Sequence, residues 1–440
     1  MSSDDPRFAK TMVNQQFITH IRAEGVLGTF TYDVEFPEEN DEGRIRAVYA
    51  PNGRGKTNFL RAVAQALTPS IDSLQSLVEI PFASIKISFL SGGTIVLSRD
   101  EAFAGSFTAE VKETAVTHPM EASDGARISV DPQDFAGRLF RRAWESRLDF
   151  HEYVEICQRI TGGCVFIGED RLSPTLDDMR EAQRSENMYS RRHRSAGTVS
   201  DLLASAERML NQSALATISN ERRDGGVYSA ITRTTLAGSL KLKTSDARDA
   251  LEAKIEVLLQ LGQPLERYGL ISLSEVRSIA AQLHSARTNA RPLPTLHQVL
   301  APFLDSLVEQ VNALQPAYDL IHTFVTEVNR FLDRKELRFT AALGIELVGL
   351  DRSVLHADSL SSGERHLIYL LTHALLVNRT RALLIIDEPE ISLGIEWQRD
   401  ICAALLRCSS FGQSQVIFAS HSVQVLAGLP EHEIVQPTED

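Results

Sequence analysis

The sequence predicts an α/β protein with two lobes of mixed and parallel sheet, separated by an inserted helical segment. Three observations carry this expectation. Apolar, β-branched runs such as Ala382–Ile386 and Gln415–Ala419 alternate with helical stretches, the pattern of a parallel sheet covered on both faces. A glycine-containing loop, Ala50–Thr57, stands between a strand-like run and a helix-like one. From about Thr175 to Glu336 the pattern changes to polar helical segments. The lobes are accordingly drawn at 1–174 and 336–440, with a helical insertion, read as a short coiled-coil arm, at 175–335.

In chain order, Phe17–Arg22 and Gly28–Phe36 alternate as half-buried strands do. A polar turn, Glu38–Gly43, precedes a strand at Arg44–Tyr49, and a helix is expected from Lys56 to about Leu67. Ser84–Leu90 and Thr94–Leu97, joined through Ser91, Gly92 and Gly93, read as a hairpin by their turn chemistry. Cys164–Ile167 is a short buried strand. Gly225, Gly226 and Pro264 punctuate the helical stretch. Its last segment carries an apolar seam at Leu300, Leu304, Leu307, Val311, Leu314, Tyr318, Ile321, Val325, Val328 and Leu332. That seam suits a core-packed helix and a coiled-coil arm equally, and Pro316 is expected to kink it. Leu337–Ala341 and Ile345–Val348 return to strand.

Composition removes several classes of protein. A chain of 440 residues allows two to four domains at roughly 100–200 residues each. With 43% hydrophobic and 23% charged residues, wholesale disorder is excluded. Forty-five basic against 58 acidic side chains give a formal charge of −13, the wrong sign for a whole-surface affinity for DNA. Local basic clusters remain, at Arg138, Arg141 and Arg142 and at Arg191, Arg192, His193 and Arg194; a solvated helix face explains the second as well as DNA contact does. The apolar stretch Leu367–Val377 is interrupted by Thr372 and His373 and is about half the ~20 residues a bilayer requires. Acids near the N-terminus stand where a secretory signal carries basic residues, and the cysteine usage suits a reducing cytoplasm, so no membrane and a cytoplasmic location are expected. The four cysteines form no CxxC pair, which argues against a zinc site or a disulfide framework.

Four elements carry chemistry. Ala50–Thr57 fits GxxxxGK(S/T) with Ala50 in place of the first glycine. Gly53 and Gly55 let the backbone curl so that amides point at phosphate oxygens, with Asn52, Arg54 and Asn58 in the same loop and helix start. Lys56 supplies a point charge to the β- and γ-phosphates, and Thr57 a hydroxyl to Mg2+. The bland alternative, a generic glycine turn, is disfavoured by the strand before the loop and the helix after it. Second, the run through Ile386 places Asp387 at the C-terminal end of a buried strand, where it can hold magnesium; Glu388 is the candidate to polarise the attacking water. A pair of acids capping the next helix is the alternative there. Third, Ser361, Ser362, Gly363 and Glu364 form a capping box, whose helix start presents free amides to a γ-phosphate. Fourth, His421 stands just past the last long strand, as a γ-phosphate sensor or a structural histidine.

With APNGRGKT, LSSGE, LLIIDEPE, ISLG and ASHS in this order, the chain resembles the ABC-type head ATPases, in the branch of SMC, RecF and OLD-like proteins. The resemblance covers about residues 15–170 and 336–440, the helical middle being the insertion usual between the two head lobes. It implies a two-lobed P-loop head using ATP and Mg2+. It also implies a homodimer of heads, or a higher homo-oligomer, in which Lys56 and Thr57 of one subunit work with Ser362 and Gly363 of the other. Ser392, Leu393 and Gly394 would form the loop linking the two sites, with Gly394 where relatives often carry a histidine, and His421 would touch the γ-phosphate. DEPEISL, then EWQ, and the small insertion further resemble the ATPase subunits of bacterial anti-phage systems such as PARIS and Septu. That implies a slow ATPase switch controlling an effector nuclease or toxin after a phage protein or altered DNA is sensed. OLD nucleases append a Toprim domain after the head; with 19 residues following His421, the effector is expected to be a separate chain. A RecF-like DNA-maintenance ATPase is the alternative, and a nearly inactive, nucleotide-stabilised scaffold a third reading.

Overall fold

A computed structural model of the chain describes residues 16–37, 44–100, 103–114, 124–136, 139–168, 199–222, 244–285, 293–380, 382–412 and 414–439. The polar turn at 38–43, Arg138, the basic run 191–194 and the glycine pair 225–226 lie outside the described residues. The chain divides into two compact units, one of Met1–Leu202 with Leu360–Asp440 and one of Leu203–Ser359.

The first unit opens with β1 (Ile18–Val26), β2 (Phe30–Glu35) and β3 (Ile45–Tyr49). Helices α1 (Lys56–Leu67) and α2 (Ile71–Glu79) follow, then β4 (Ser84–Phe89), β5 (Thr94–Ser98), β6 (Phe107–Lys112) and β7 (Gly125–Val130). Helices α3 (Phe140–Glu145) and α4 (Leu148–Ile160) lead into β8 (Cys164–Ile167). Helices α5 (Val199–Arg222), α6 (Thr244–Arg267), α7 (Ser274–Ser285) and α8 (Leu293–Phe331), with strands β9 (Lys335–Thr340), β10 (Gly344–Gly349) and β11 (Val354–Leu355), come next in the chain. The first unit resumes with α9 (Ser362–Thr380), β12 (Leu383–Asp387), α10 (Ile395–Ser409), β13 (Val416–Ser420), α11 (Val423–Leu426), β14 (Ile434–Val435) and β15 (Thr438–Glu439).

The expected α/β class is what the chain adopts. Its first unit holds a five-stranded sheet of order β14-β3-β13-β12-β8, parallel throughout, and a seven-stranded sheet of order β15-β2-β1-β4-β5-β6-β7, antiparallel throughout. The expected hairpin forms as β4 and β5, and α1 has the bounds read from the sequence. Strands β6 and β7 and helices α2 to α4 have no counterpart in the sequence reading. Helix α1 packs against β1 of one sheet and β8, β12 and β13 of the other, burying Phe59, Leu60, Val63 and Leu67. Each such side chain contributes about 1.5–3 kcal/mol on burial.

Parallel register positions the chemistry. Val48 and Tyr49 of β3 pair with Ala419 and Ser420 of β13, and Ala419 pairs in turn with Asp387 of β12. The loop after β3, the acids after β12 and the turn after β13 therefore leave the sheet at one edge, its C-terminal edge.

In the second unit α8 packs along α6. The seam residues Leu304, Val311, Leu314, Ile321, Val325 and Val328 are buried, as are Leu251, Ile255, Leu258 and Leu265 of α6. The helix continues through Pro302 and Pro316. Strands β9–β11 form a three-stranded antiparallel sheet, and β9 packs on α8. The Tyr268 hydroxyl reaches His322 Nδ1 at 3.0 Å, and its carbonyl accepts from the Ala341 amide at 2.9 Å. Those contacts group β9–β11 with the helices, so the compact unit ends at Ser359, beyond the lobe boundary drawn at 335/336.

Candidate active site

The glycine loop is shaped by backbone conformations that only glycine adopts cheaply. Gly53 has φ 86° and Gly55 φ 81°, and Gly55 caps α1. A Cβ on Gly55 would stand 2.9 Å from Val26 Cγ1, so the loop lies tight against β1. Ala50, in the place of the usual first glycine, does not take a positive φ and is buried, which is why its methyl group is tolerated. Tyr32 of β2 braces the loop from below. Its hydroxyl donates to the Arg54 carbonyl at 2.6 Å, and its ring stacks on Phe59 at 4.4 Å between centroids.

Lys56 is 6% exposed, yet it carries the charge of the site. Its Nζ donates to the Ala50 carbonyl at 2.7 Å and lies 3.5 Å from Glu388 Oε1. This pair compensates two charges taken out of water, a necessity at such burial. Asp387, the last residue of β12, is fully buried. Glu388 takes φ 52°, a left-handed conformation uncommon for a residue with a Cβ, and its amide donates to the Ala419 carbonyl at 2.9 Å. Burial, with the nearby Glu390 carboxylate adding to it, pushes the Glu388 carboxyl up to about 7; His421 acts in the opposite direction. With its proton on Nδ1, the His421 ring donates to Glu388 Oε2 at 2.6 Å.

A cavity of about 500 Å³ gathers these groups. Asn52, Gly53, Arg54, Gly55, Lys56, Thr57 and Asn58 line one side, and Glu388, Ile391 and His421 the other. Asp387 is not among the lining residues; it lies buried at the strand end one residue before Glu388. Ser361, Ser362, Gly363 and Glu364 do not line the cavity either. They form the capping box at the start of α9: the Ser361 amide donates to Glu364 Oε2 at 2.6 Å, and the Glu364 amide to Ser361 Oγ at 3.2 Å. That helix start touches the loop after Glu390, since a Cβ on Gly363 would meet the Ser392 carbonyl at 2.8 Å. His366 Nε2 approaches the Pro389 carbonyl at 3.2 Å, tying α9 to the same segment.

Two residues given no role in the sequence reading belong to this edge. Glu390 is buried beside Glu388 and bonds the turn that bears His421, while Gln398 of α10 bonds Ser422 at 2.8 Å. Both fall inside the strings DEPE and EWQ, but no spacing signals a contact to a turn more than twenty residues away. Among the described residues, Glu388, Glu390 and His421 bring ligand atoms within 4.8 Å of one another, as do His20, Asp33 and Glu35. In the second group Arg22 donates to Asp33 at 3.1 Å, making it part of an exposed ion-pair network on the antiparallel sheet. Of the basic residues in the described part, Arg141 is ion-paired with Asp72 and Arg142 is exposed.

Strand, glycine loop and helix, with an acid at the end of a parallel strand of the same sheet, one strand removed, define a phosphate-loop α/β fold. Residues 242–427 match the family described as "AAA domain, putative AbiEii toxin, Type IV TA system". This span holds Ser361–Glu364, Asp387, Glu388 and His421 but not the glycine loop, and is less than half of the chain. No curated protein matches. Among solved structures the chain is similar to an Smc head domain with an extended coiled coil, bound to the C-terminal domain of ScpA, from Pyrococcus furiosus. That likeness has 12% identity over 96% of this chain and 96% of that one, at a TM-score of 0.38. An Smc head domain with a coiled coil and joint from Pyrococcus yayanosii gives 12%, 96%, 97% and 0.35 by the same measures. The SMC head domain from Thermotoga maritima gives 11%, 97%, 99% and 0.32. At such values the fold assignment rests on this chain's own strand order. Among the described residues no helix is long and apolar enough to cross a membrane.

Proposed function

We propose that the chain is an ABC-type head ATPase whose cycle drives a switch, and that it belongs to a defence system acting through a separate effector. The observation that carries the ATPase reading is the meeting of Lys56, Glu388 and His421 at one cavity, with Lys56 3.5 Å and His421 2.6 Å from the same carboxylate. A cation for phosphate, a base for water and a histidine holding that base are what phosphoryl transfer to water requires.

In this reading ATP lies along the glycine loop, with its phosphates on the amides at the start of α1 and on Lys56. The Asp387 carboxylate and the Thr57 hydroxyl are hard oxygen donors, one at the end of β12 and the other on the helix packed against it, a donor set suited to magnesium. Magnesium, when bound, neutralises charge on the phosphates. Glu388 orients a water and takes its proton as the water oxygen attacks the γ-phosphorus; the bond to the bridging oxygen breaks and ADP departs with that oxygen. His421, donating to Glu388, holds the carboxylate toward the γ-phosphate.

Ser361, Ser362 and Gly363 stand at a helix start outside the cavity, which supports their service to the nucleotide of a second copy. ATP then closes two heads because it binds the closed pair better than the open one. The words "putative AbiEii toxin, Type IV TA system" in the description of the family matched by residues 242–427 support a role in defence. The test is particle size. Glu388→Gln with ATP and magnesium should accumulate a two-copy particle in solution scattering, and Lys56→Ala should not. A single-copy particle for Glu388→Gln at saturating ATP contradicts the switch.

A further inference from the structure

The base and the histidine have roles in the proposed reaction; the carboxylate behind them has none. Glu390 is 6% exposed, and its Oε1 accepts three hydrogen bonds from three consecutive residues. The donors are Ser420 Oγ at 2.6 Å, the His421 amide at 3.1 Å and the Ser422 amide at 3.1 Å. These residues make the turn by which the chain leaves β13 with His421 on it. Three donors from consecutive residues meet on this one oxygen, so it fixes the whole turn. His421 Nδ1 lies 3.5 Å from that oxygen and 2.6 Å from Glu388 Oε2. The far end of the turn is tied as well. Ser422 Oγ donates to Gln398 Oε1 at 2.8 Å, and Gln398 Nε2 donates to the Leu393 carbonyl at 3.0 Å, within the loop ahead of α10.

A buried carboxylate is expensive to retain, and an apolar residue of similar size would pack there at lower cost. What the carboxylate does that an apolar side chain cannot is gather three donors in a row onto one atom, with the ring they carry set against the base.

We propose that Glu390 is the positioning residue for His421, clamping the 420–422 turn so that the ring stays on Glu388, with Gln398 joining this turn to the loop at 391–394. This rests on the ATPase reading above. Glu390 does not line the cavity; it acts through the histidine. Its removal therefore lowers turnover without weakening ATP binding, and only while His421 is present.

A double-mutant cycle in ATP hydrolysis tests this, with nucleotide affinity measured on every variant. Glu390→Ala should lower kcat about 10- to 100-fold, the cost of misplacing a reacting group by about 1 Å, and leave the ATP dissociation constant within about threefold. Glu390→Gln keeps an acceptor oxygen of the same reach and should recover most of the loss. In a His421→Ala background, Glu390→Ala should cost nothing further. Three results overturn the proposal: native kcat in Glu390→Ala, full additivity with His421→Ala, or parallel loss of ATP affinity and kcat in both Glu390 variants. If Glu390→Ala fails to fold, Glu390→Gln and Ser420→Ala carry the same cycle. Failure of the ATPase reading looks different: the wild-type protein then hydrolyses no ATP, or Glu388→Gln and His421→Ala turn over at its rate.

Discussion

Across the cavity, residues 52–57 offer amide donors and one buried cation, whereas Glu388 and His421 stand opposite, with Glu390 buried behind them, so that a ring lies between two carboxylates. The loop holds its shape through backbone conformation: positive φ at Gly53 and Gly55, close contact with β1, and a tyrosine underneath. The acidic edge holds its shape through hydrogen bonds to side chains distant in sequence, with Glu388 itself in a left-handed conformation. Damage to the loop should therefore appear as lost nucleotide binding, and damage to the edge as lost turnover with binding kept.

The largest expected effect lies in the loop. Lys56→Ala removes the loop side chain that pairs with Glu388, and should weaken ATP binding about 100-fold, the upper range for a charged hydrogen bond. Titration calorimetry with ATP and magnesium checks it; unaltered affinity would erase the distinction between the two sides.

Next comes pH. Because the Glu388 carboxyl is pushed up to about 7, the base form grows across neutrality, and kcat/KM should rise about tenfold from pH 6 to pH 8. Stability runs the other way. Between its ordinary value of 4.5 and about 7 the folded protein binds more protons at this group than the unfolded chain does. The contribution of Glu388 to stability therefore falls as pH rises through that window. A flat rate profile would remove the burial-tuned base, and Glu388→Gln should flatten both trends.

The smallest effect sharpens the comparison from the loop side. Tyr32→Phe keeps the stack on Phe59 and loses one bond of 2.6 Å to the loop backbone. A net loss of about 0.5–1.5 kcal/mol should weaken ATP binding about 2- to 10-fold with kcat unchanged. A fall in kcat instead would mean that the brace serves catalysis rather than binding.

What could be read from sequence follows the same division. Glycine marks the positive-φ backbone of the loop, Lys56 marks the helix start, and the Ser361–Glu364 box announces itself by spacing, because each acts within a few residues. Asp387 and His421 were legible because they end apolar runs. Glu390 and Gln398 were not, since a carboxylate gathering three donors from residues 420–422 leaves no local pattern. Strands β6 and β7 alternate buried and more exposed positions over six residues each, as β4 does, so their pattern is present in the sequence. The apolar seam of α8 was legible as a stripe but not in its partner, which the structure supplies as α6. Direction in the second sheet was equally hidden, since alternation marks a half-exposed face and says nothing of which neighbour pairs with it.

The most direct measurement is a single turnover of ATP labelled at the γ-phosphate, with protein in excess over nucleotide and magnesium present. Wild-type protein should release labelled phosphate, while Glu388→Gln should hold intact ATP and release phosphate at least 100-fold more slowly, within the ~10²–10⁴-fold range of a general base. Equal rates of release from the two proteins would contradict the assignment of Glu388, and with it the account of how this edge of the sheet works.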